Sequence, residues 1–363
     1  SVLGAADVVL HDALSHPELL ECCPQAEIRD VGKRYGERSP PQEVITREIV
    51  ELALAGKRVV RLKGGDPMMF ARGAEEALAL VEAGIPFEIV PGISSPVAAS
   101  EFAGISLTHR EASSSVTFIT GSDREGLEWS PEAWKKLATA TGTICVLMGM
   151  RRIEAITRAI LDGGRASETP AAVVMWGARP EQRTVTGTLV DIAEKARAAG
   201  LTSPSIIIVG EVVALREQLN WYESKPLFGR RVLVPRPRAQ ARETVLALRA
   251  RGAAPVVRPA IEIEASPEPE RFERSVAAMS SYDLVLFTSA NGVEATFDVL
   301  GRLGRDARAF GTARVGVIGP KTGAALARHG IRADLEAREY VAESLLERIF
   351  EAEAIGEELA TYN

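Results

Sequence analysis

In Val59-Val60-Arg61-Leu62-Lys63-Gly64-Gly65-Asp66-Pro67, a predicted short strand runs into two glycines, an acid and a proline. Glycines at the carboxyl end of a strand let a ligand approach the backbone, and open α/β sheets bind ligands at that edge. A simple tight turn would also use Gly-Gly-Asp-Pro. The spacing matches neither the phosphate-binding loop of nucleotide hydrolases nor the dinucleotide-binding glycine pattern.

Similar apolar runs recur along the chain, and many are separated by segments with apolar residues at helical spacing. The predicted strands include residues 6–10, 59–62, 87–90, 116–119, 144–148, 172–175 and 206–209. The predicted helices include residues 41–54, 73–83 and 151–161. This alternation predicts an α/β fold with largely parallel sheets.

The alternation lapses between residues 220 and 229 and then resumes with a new strand at 231–235. It continues at residues 284–288 and 315–319. We therefore predict two α/β subdomains, residues 1–111 and 112–224, followed by a third α/β region, residues 229–363.

Composition narrows the function classes. The 363 residues are 46% hydrophobic and 25% charged, which is typical of an ordered globular protein. A net charge of −6 gives no global field that would attract nucleic acid or an anionic membrane, so a polyanionic ligand needs locally placed arginines. No apolar run is long enough to span a membrane, and the first residues lack a signal-peptide layout.

Cysteine and histidine usage indicates a cytoplasmic protein without a metal site. Cys22 and Cys23 are adjacent and Cys145 lies in an apolar run, which favours reduced thiols. The four histidines are scattered, and no Cys/His cluster has metal-ligand spacing.

Four ordered motifs then carry a family resemblance. After Gly-Gly-Asp-Pro come residues 70–76 (Phe-Ala-Arg-Gly-Ala-Glu-Glu), 83–95 (Ala-Gly-Ile-Pro-Phe-Glu-Ile-Val-Pro-Gly-Ile-Ser-Ser) and 104–110 (Gly-Ile-Ser-Leu-Thr-His-Arg), with Leu-Met-Gly at 147–149. Together they closely resemble the tetrapyrrole methylases, and within that family the uroporphyrinogen-III C-methyltransferases. The resemblance covers about residues 1–220. It implies two α/β lobes with a cleft between them and a homodimer.

The same resemblance implies an activity. The family transfers methyl groups from S-adenosylmethionine to uroporphyrinogen III, leaving S-adenosylhomocysteine. Two transfers lead through precorrin-1 to precorrin-2, for sirohaem or cobalamin biosynthesis.

Functional positions of the family fall on matching residues here. The resemblance implies cofactor binding by Gly64, Gly65, Asp66, Met69, Ser94, Ser95, Met148 and Gly177. It implies Asp12 as proton acceptor, Lys33 as proton donor, and Arg72 with Glu75 as a pair that binds substrate and handles protons. At residue 176 a tryptophan replaces the asparagine that is common in the family.

The chemistry gives independent reasons for these residue types. Methylation is an in-line displacement that depends on positioning, and the macrocycle must then lose a proton to a base such as Asp12 or Glu75. Its carboxylates suit forked arginines, for which the candidates are Arg34, Arg38, Arg72 and Arg110. The alternatives are solvated surface arginines, a helix-capping Asp12 and a core Met148.

Residues 229–363 resemble uroporphyrinogen-III synthase, through motifs at 229–236, 287–293, 318–322 and 339–343. This resemblance implies conversion of hydroxymethylbilane to uroporphyrinogen III. Hydroxyl and amide groups that could bind substrate carboxylates are Thr288, Ser289, Asn291 and Thr322, and turn capping explains them equally well.

Both resemblances depart from their families at the ends. The methylases begin with a strand and a glycine-rich loop that this sequence does not show, so we expect one wall of the cleft to be missing from residues 1–111. The synthases have two domains with return segments, so we expect the third region to be incomplete.

Two other functions remain open. One is a related methylase that acts on another precorrin or on an RNA base, although the net charge of −6 weighs against RNA. The other is a cofactor-binding protein without turnover.

Overall fold

A computed structural model describes residues 2–32, 40–121, 130–339 and 343–351. The chain folds into two compact units, Ser1–Ile261 and Glu262–Asn363. Both are built from strands and helices, which confirms the α/β prediction. The boundaries at 111/112 and 224/229 stay predictions.

The first sheet is parallel and has the strand order β2-β1-β3. Its strands are β1 (Val8–His11), β2 (Glu27–Asp30) and β3 (Val59–Leu62), and its helices are α1 (Gln42–Leu54), α2 (Gly73–Glu82) and α3 (Ser95–Phe102). Helix α1 packs Ile45 and Ile49 against Val8 and Leu10 of β1. Because the strands are parallel, the segments after β1 and β3 start at the same edge of the sheet.

The strand predicted at residues 87–90 is wrong. Residues 85–94 form neither strand nor helix, and they leave Phe87, Ile89 and Val90 exposed by 44%, 44% and 56%. A strand needs a neighbour for its backbone N–H and C=O groups. Among the described residues, β3 pairs with β1 on one side and no strand pairs with its other side.

The second sheet has the order β4-β5-β8-β6-β7. Its strands are β4 (Val116–Thr120), β5 (Thr143–Leu147), β6 (Pro170–Met175), β7 (Arg183–Thr188) and β8 (Ser205–Val209), and its helices are α4 (Pro131–Ala140), α5 (Ile153–Asp162), α6 (Ile192–Ala198) and α7 (Arg216–Leu219). Ile144, Val146 and Ile207 are fully buried at its centre.

The prediction of largely parallel sheets is wrong for this second sheet. Only the β4–β5 pair is parallel, whereas β8 runs antiparallel to β5 and β6, and β6 runs antiparallel to β7. Residues 176–182 connect β6 directly to β7 without a crossover helix. A short connection of this kind joins antiparallel strands, whereas a parallel pair needs a long crossover.

The described residues between 231 and 336 form parallel βα structures. Within the first unit, α8 (Arg238–Ala250) connects the parallel strands β9 (Arg231–Val234) and β10 (Ala254–Val257). The second unit has a parallel sheet of β11 (Leu284–Phe287), β12 (Arg314–Val317) and β13 (Leu335–Glu336), with α9 (Pro269–Ala277), α10 (Ala290–Arg302) and α11 (Pro320–Arg328). Its core contains Phe287, Leu300 and Leu326.

The three cysteines are free, and burial raises the pKa of the Cys145 thiol to about 12.

Within the described ranges, no helix combines the length and apolarity that a bilayer crossing requires.

Candidate active site

The glycine loop after β3 meets the loop that precedes α3. Gly65 has a φ of +101°, which favours glycine, and its carbonyl oxygen lies 2.6 Å from where a Cβ of Gly92 would stand. The Asp66 carboxylate joins the loops: Oδ2 accepts from the Gly92 N–H at 3.2 Å and Oδ1 accepts from the Met68 N–H at 2.8 Å. Gly65 is therefore favoured by its left-handed φ, and Gly92 by the close approach of the Gly65 carbonyl group.

Met69, Ser94 and Ser95 lie at this junction. The Ser94 hydroxyl donates to the Met69 sulfur at 3.0 Å and is largely buried. Ser95 is the first residue of α3 and is exposed. The structure thus brings together Gly65, Asp66, Met69, Ser94 and Ser95. Gly64 lies against Leu14, because a Cβ on Gly64 would stand 3.2 Å from the Leu14 Cβ.

Gly177 connects the second sheet to helix α3. It follows β6, and a Cβ on Gly177 would lie 2.3 Å from the Ala99 Cβ and 2.7 Å from the Ala99 Cα, so this loop rests directly on α3. Met148 directly follows β5 of the second sheet, and its side chain is half-exposed.

Backbone strain marks these segments. The non-glycine residues with left-handed φ in the described ranges are Phe70, Arg72, Met148, Trp176 and Ala178. All five lie within or beside the predicted site motifs. Such conformations cost about 1–3 kcal/mol each and persist where the surrounding structure enforces them, often at functional sites.

Gln182, which the sequence did not single out, holds the Gly177 loop. Its side chain is buried, and Oε1 accepts from the Ala178 N–H at 2.8 Å. Its Nε2 donates to the Phe102 carbonyl at 3.1 Å and to Glu223 at 2.8 Å. No sequence pattern distinguishes this amide from a surface glutamine.

Arg179 connects the Gly177 loop with the turn after β1. Its guanidinium donates to the Leu14 carbonyl at 3.3 Å and lies 4.9 Å from the Trp176 ring centroid. Arginine stacking of this kind contributes about 0.5–1 kcal/mol at exposed positions. This contact was also missed from sequence.

Asp12 follows β1, and its N–H donates to the Leu62 carbonyl at 3.1 Å. Its Oδ1 accepts from Nη2 of Arg61, a largely buried residue of β3. Arg61 also donates from Nε to Glu76 at 3.2 Å. Asp12 is thus held at the sheet edge by an arginine that belongs to the neighbouring strand.

Arg72 binds the Glu75 carboxylate through two guanidinium nitrogens. Nε of Arg72 lies 3.0 Å from each oxygen of Glu75, and Nη2 lies 2.5 Å from Oε2. The Glu75 carboxylate raises the pKa of the Arg72 guanidinium. Because the Arg72 side chain is 36% exposed, the guanidinium is partly accessible to a ligand.

The structure does not bring the remaining predicted residues that it describes into this cluster. Lys33, Arg34 and Arg38 lie outside the described residues. Arg110 is exposed on a turn closed by the bridge between His109 and Ser113. No group of three or more potential metal ligands occurs in the part of the chain that the structure describes.

In the second unit, helices α10 and α11 begin at one edge of the parallel sheet, since each follows one of two neighbouring strands. Ser289 caps α10, accepting from the Gly292 N–H at 3.2 Å, beside exposed Thr288. Asn291 is exposed in the first turn of α10, whereas Thr322 is buried in the first turn of α11.

Two family models match the chain. Residues 1–193 match the Tetrapyrrole (Corrin/Porphyrin) Methylases. Residues 242–360 match Uroporphyrinogen-III synthase HemD.

Individual proteins match one or both regions. A porphyrin biosynthesis protein HemD of Ruminiclostridium josui is 38% identical over 359 residues, which is 98% of this chain and 71% of that protein. A uroporphyrinogen-III C-methyltransferase of Sinorhizobium sp is 46% identical over 61% of this chain and 79% of that protein.

A solved structure is also similar to the first region. The crystal structure of uroporphyrin-III C-methyl transferase from Thermus thermophilus, complexed with S-adenyl homocysteine, has a TM-score of 0.51 and 35% sequence identity. The match covers 59% of this chain and 90% of that one.

Proposed function

Since this chain belongs to the tetrapyrrole methylase family, we propose that its methylase region transfers two methyl groups from S-adenosylmethionine to uroporphyrinogen III. The product of the first transfer is precorrin-1 and that of the second is precorrin-2. One observation carries the proposal: the Gly65–Asp66 loop meets the Ser94–Ser95 loop at the start of α3, and Gly177 packs against Ala99 one turn further along the same helix.

This junction fits a cofactor with a sulfonium methyl group. Gly92 admits the Gly65 carbonyl group where a side chain would clash, Gly65 adopts a left-handed φ, and the Asp66 carboxylate fixes the spacing of the two loops. The bound cofactor supplies the methyl group, while Gly64, Gly65, Asp66, Met69, Ser94, Ser95, Met148 and Gly177 bind and orient it.

Asp12 is the proton acceptor in this proposal. Its carboxylate lies at the edge where β1 ends, and Arg61 restrains its orientation. A base must be placed before the methylated ring can lose its proton, and such groups contribute roughly 10²–10⁴-fold. Glu75 assists through its pair with Arg72, and Lys33 donates a proton.

Arginines bind the substrate carboxylates. Uroporphyrinogen III is a polyanion and the protein has a net charge of −6, so local guanidinium groups must supply the attraction. Arg72 presents a restrained, partly exposed fork. Arg34 and Arg110 complete the proposed set.

The test is anaerobic incubation of the protein with uroporphyrinogen III and S-adenosylmethionine, followed by mass spectrometry and absorbance. A gain of two methyl groups is expected. Cofactor binding without transfer would favour a binding protein, and transfer only to a later precorrin would favour a related methylase. Either result would overturn the assignment of uroporphyrinogen III.

A second activity is favoured for the remaining region, because residues 242–360 match the synthase family. We propose that it converts hydroxymethylbilane to uroporphyrinogen III, with substrate carboxylates near Thr288, Ser289, Asn291 and Thr322. Supply of hydroxymethylbilane should give the type III isomer. Formation of the spontaneous type I product alone would contradict this proposal.

A further inference from the structure

Two neighbouring glutamates on α2 have opposite environments. Glu75 pairs with Arg72 at a half-exposed position, whereas only 6% of the Glu76 side chain is exposed. Glu76 Oε1 accepts from Arg61 Nε at 3.2 Å and from Gln42 Nε2 at 2.8 Å. Its Oε2 lies 2.8 Å from the Lys63 ammonium. One buried carboxylate therefore serves two cations and an amide.

We propose that Glu76 is a positioning residue that holds the Asp12 carboxylate and the Arg72 loop in fixed relation to each other. It acts on Asp12 through Arg61 and on the loop through Lys63. Its relevance to methyl transfer rests on the function proposed above, whereas its structural action does not.

The contact from Glu76 through Arg61 to Asp12, called the Arg61 arm, orients Asp12. Arg61 lies beside Leu10 in the β1–β3 register, and its Nη1 donates to the Leu62 carbonyl at 3.0 Å. With Nη1 and Nε engaged, Nη2 meets the Asp12 carboxylate. A planar guanidinium held at two points has little freedom left, so the third contact fixes the acid.

The contact from Glu76 through Lys63 to the Ala71 carbonyl, called the Lys63 arm, fixes the Arg72 loop. Only 5% of the Lys63 side chain is exposed, and its Nζ donates to the Ala71 carbonyl at 2.7 Å. Ala71 lies between Phe70 and Arg72, both with left-handed φ. Lys63 therefore anchors the backbone that presents the Arg72 fork.

Charge balance explains why a glutamate is needed. Asp12 and Glu76 offset Arg61 and Lys63, and buried charges persist only when they are paired and hydrogen-bonded. Replacement of Glu76 by glutamine leaves one cation unbalanced. The amide oxygen can accept from Arg61 or Lys63, but its NH₂ group then opposes the other donor.

The experiment compares Glu76→Gln with Glu82→Gln, an exposed position on the same helix. Amide hydrogen exchange at 12–15 and 67–73 should accelerate at least about tenfold in the first variant, because local opening costs less. Strands β5 and β8 should keep their protection. Unchanged exchange at both segments, or equal acceleration throughout the chain, would overturn the inference whether or not the protein methylates uroporphyrinogen III.

The double variant Glu76→Gln, Lys63→Met separates the two arms. Without the ammonium, the side-chain amide oxygen introduced at position 76 can serve Arg61 alone, so protection should return at 12–15 and not at 67–73. Failure of 12–15 to recover would contradict the Arg61 arm. Recovery of both segments would contradict the Lys63 arm.

Kinetics then test the catalytic consequence. If the wild-type protein transfers methyl groups, Glu76→Gln should lower kcat about 10–100-fold, the scale expected for a misplaced reacting group. The KM for S-adenosylmethionine should change less than kcat, because the Asp66–Gly92 hydrogen bond lies outside the two loosened segments. An unchanged kcat would overturn the positioning role. An inactive wild type would refute the proposed function, and the exchange experiment would still decide the structural claim.

Discussion

The first parallel sheet of the methylase region and the parallel sheet of the second unit share one local architecture, in which helices follow parallel strands at one edge. They differ in whether their ion pairs are buried or exposed. At the first edge, Arg61, Lys63 and Glu76 are largely buried and connected to Asp12. In the second unit, Ser289 caps a helix, and Glu294 pairs with Arg328 and His329 on partly exposed helix surfaces.

The two edges therefore differ in how strongly the folded state depends on their charge pairs. Buried ion pairs are costly to desolvate and become strongly destabilising when one partner is removed, whereas exposed pairs contribute little. We therefore expect substitutions at the first edge to alter activity strongly. Substitutions in the charged cluster of the second unit should alter stability slightly and in a pH-dependent way.

The largest effect is expected for Asp12→Asn. Asparagine keeps the shape but cannot accept the proton, so methyl transfer should fall roughly 10²–10⁴-fold. Steady-state methylation assays measure this loss, with exposed Asp162→Asn as the control. Activity within threefold of wild type (about 0.6 kcal/mol in barrier height) would remove Asp12 from the mechanism.

Gly177→Ala should come next. The new methyl group would lie 2.3 Å from the Ala99 Cβ, so residues 176–179 must move away from α3. Overpacking costs of about 1–3 kcal/mol correspond to roughly a 5- to 150-fold weaker binding of S-adenosylhomocysteine by calorimetry. Gly301→Ala is the control, since no atom lies within 4 Å of its hypothetical Cβ. Unchanged binding by Gly177→Ala would show that this loop does not contact the cofactor.

Arg72→Lys should have an intermediate effect. Lysine keeps the charge but loses the fork that meets Glu75 and the substrate carboxylates, so substrate affinity should fall about tenfold. Cofactor affinity should change much less, which separate titrations of the two ligands can measure. Equal losses for both ligands would argue against substrate binding by Arg72.

The smallest effect is expected for Glu294→Gln. Hydrogen bonds from Arg328 and then His329 hold the pKa of Glu294 below its usual value. A lowered carboxylate pKa stabilises the folded state above the usual value near 4.3, and this stabilisation is lost as pH falls through the folded pKa. Because the pair is exposed, the variant should lose less than about 1 kcal/mol at neutral pH.

Denaturant unfolding at neutral pH and near pH 3 measures this difference. The difference between the wild type and Glu294→Gln should be smaller at the lower pH, because the stabilisation is lost as Glu294 is protonated. A difference that is undiminished there would come from packing and would contradict the electrostatic explanation.

Local patterns predicted much of the fold. The apolar runs at 59–62, 144–148 and 206–209 correspond to β3, β5 and β8, and the helical spacing at 73–83 corresponds to α2. The run at 87–90 failed because strand formation depends on a hydrogen-bonded neighbour as well as on composition. The prediction of parallel strands was wrong for β8, which runs antiparallel to β5. The periodicity of apolar residues does not indicate the direction of a strand.

Strand period, helix period and glycine spacing are local properties, so they were enough to predict the α/β class, the family resemblance and the glycine loops. They could not distinguish Glu75 from Glu76, or single out Arg61 and Gln182. The contacts of these residues became visible in the folded structure. Burial and pairing depend on residues far apart in the chain, such as Asp12, Gln42 and Arg61, and it is the fold that brings their side chains to one carboxylate or one sheet edge.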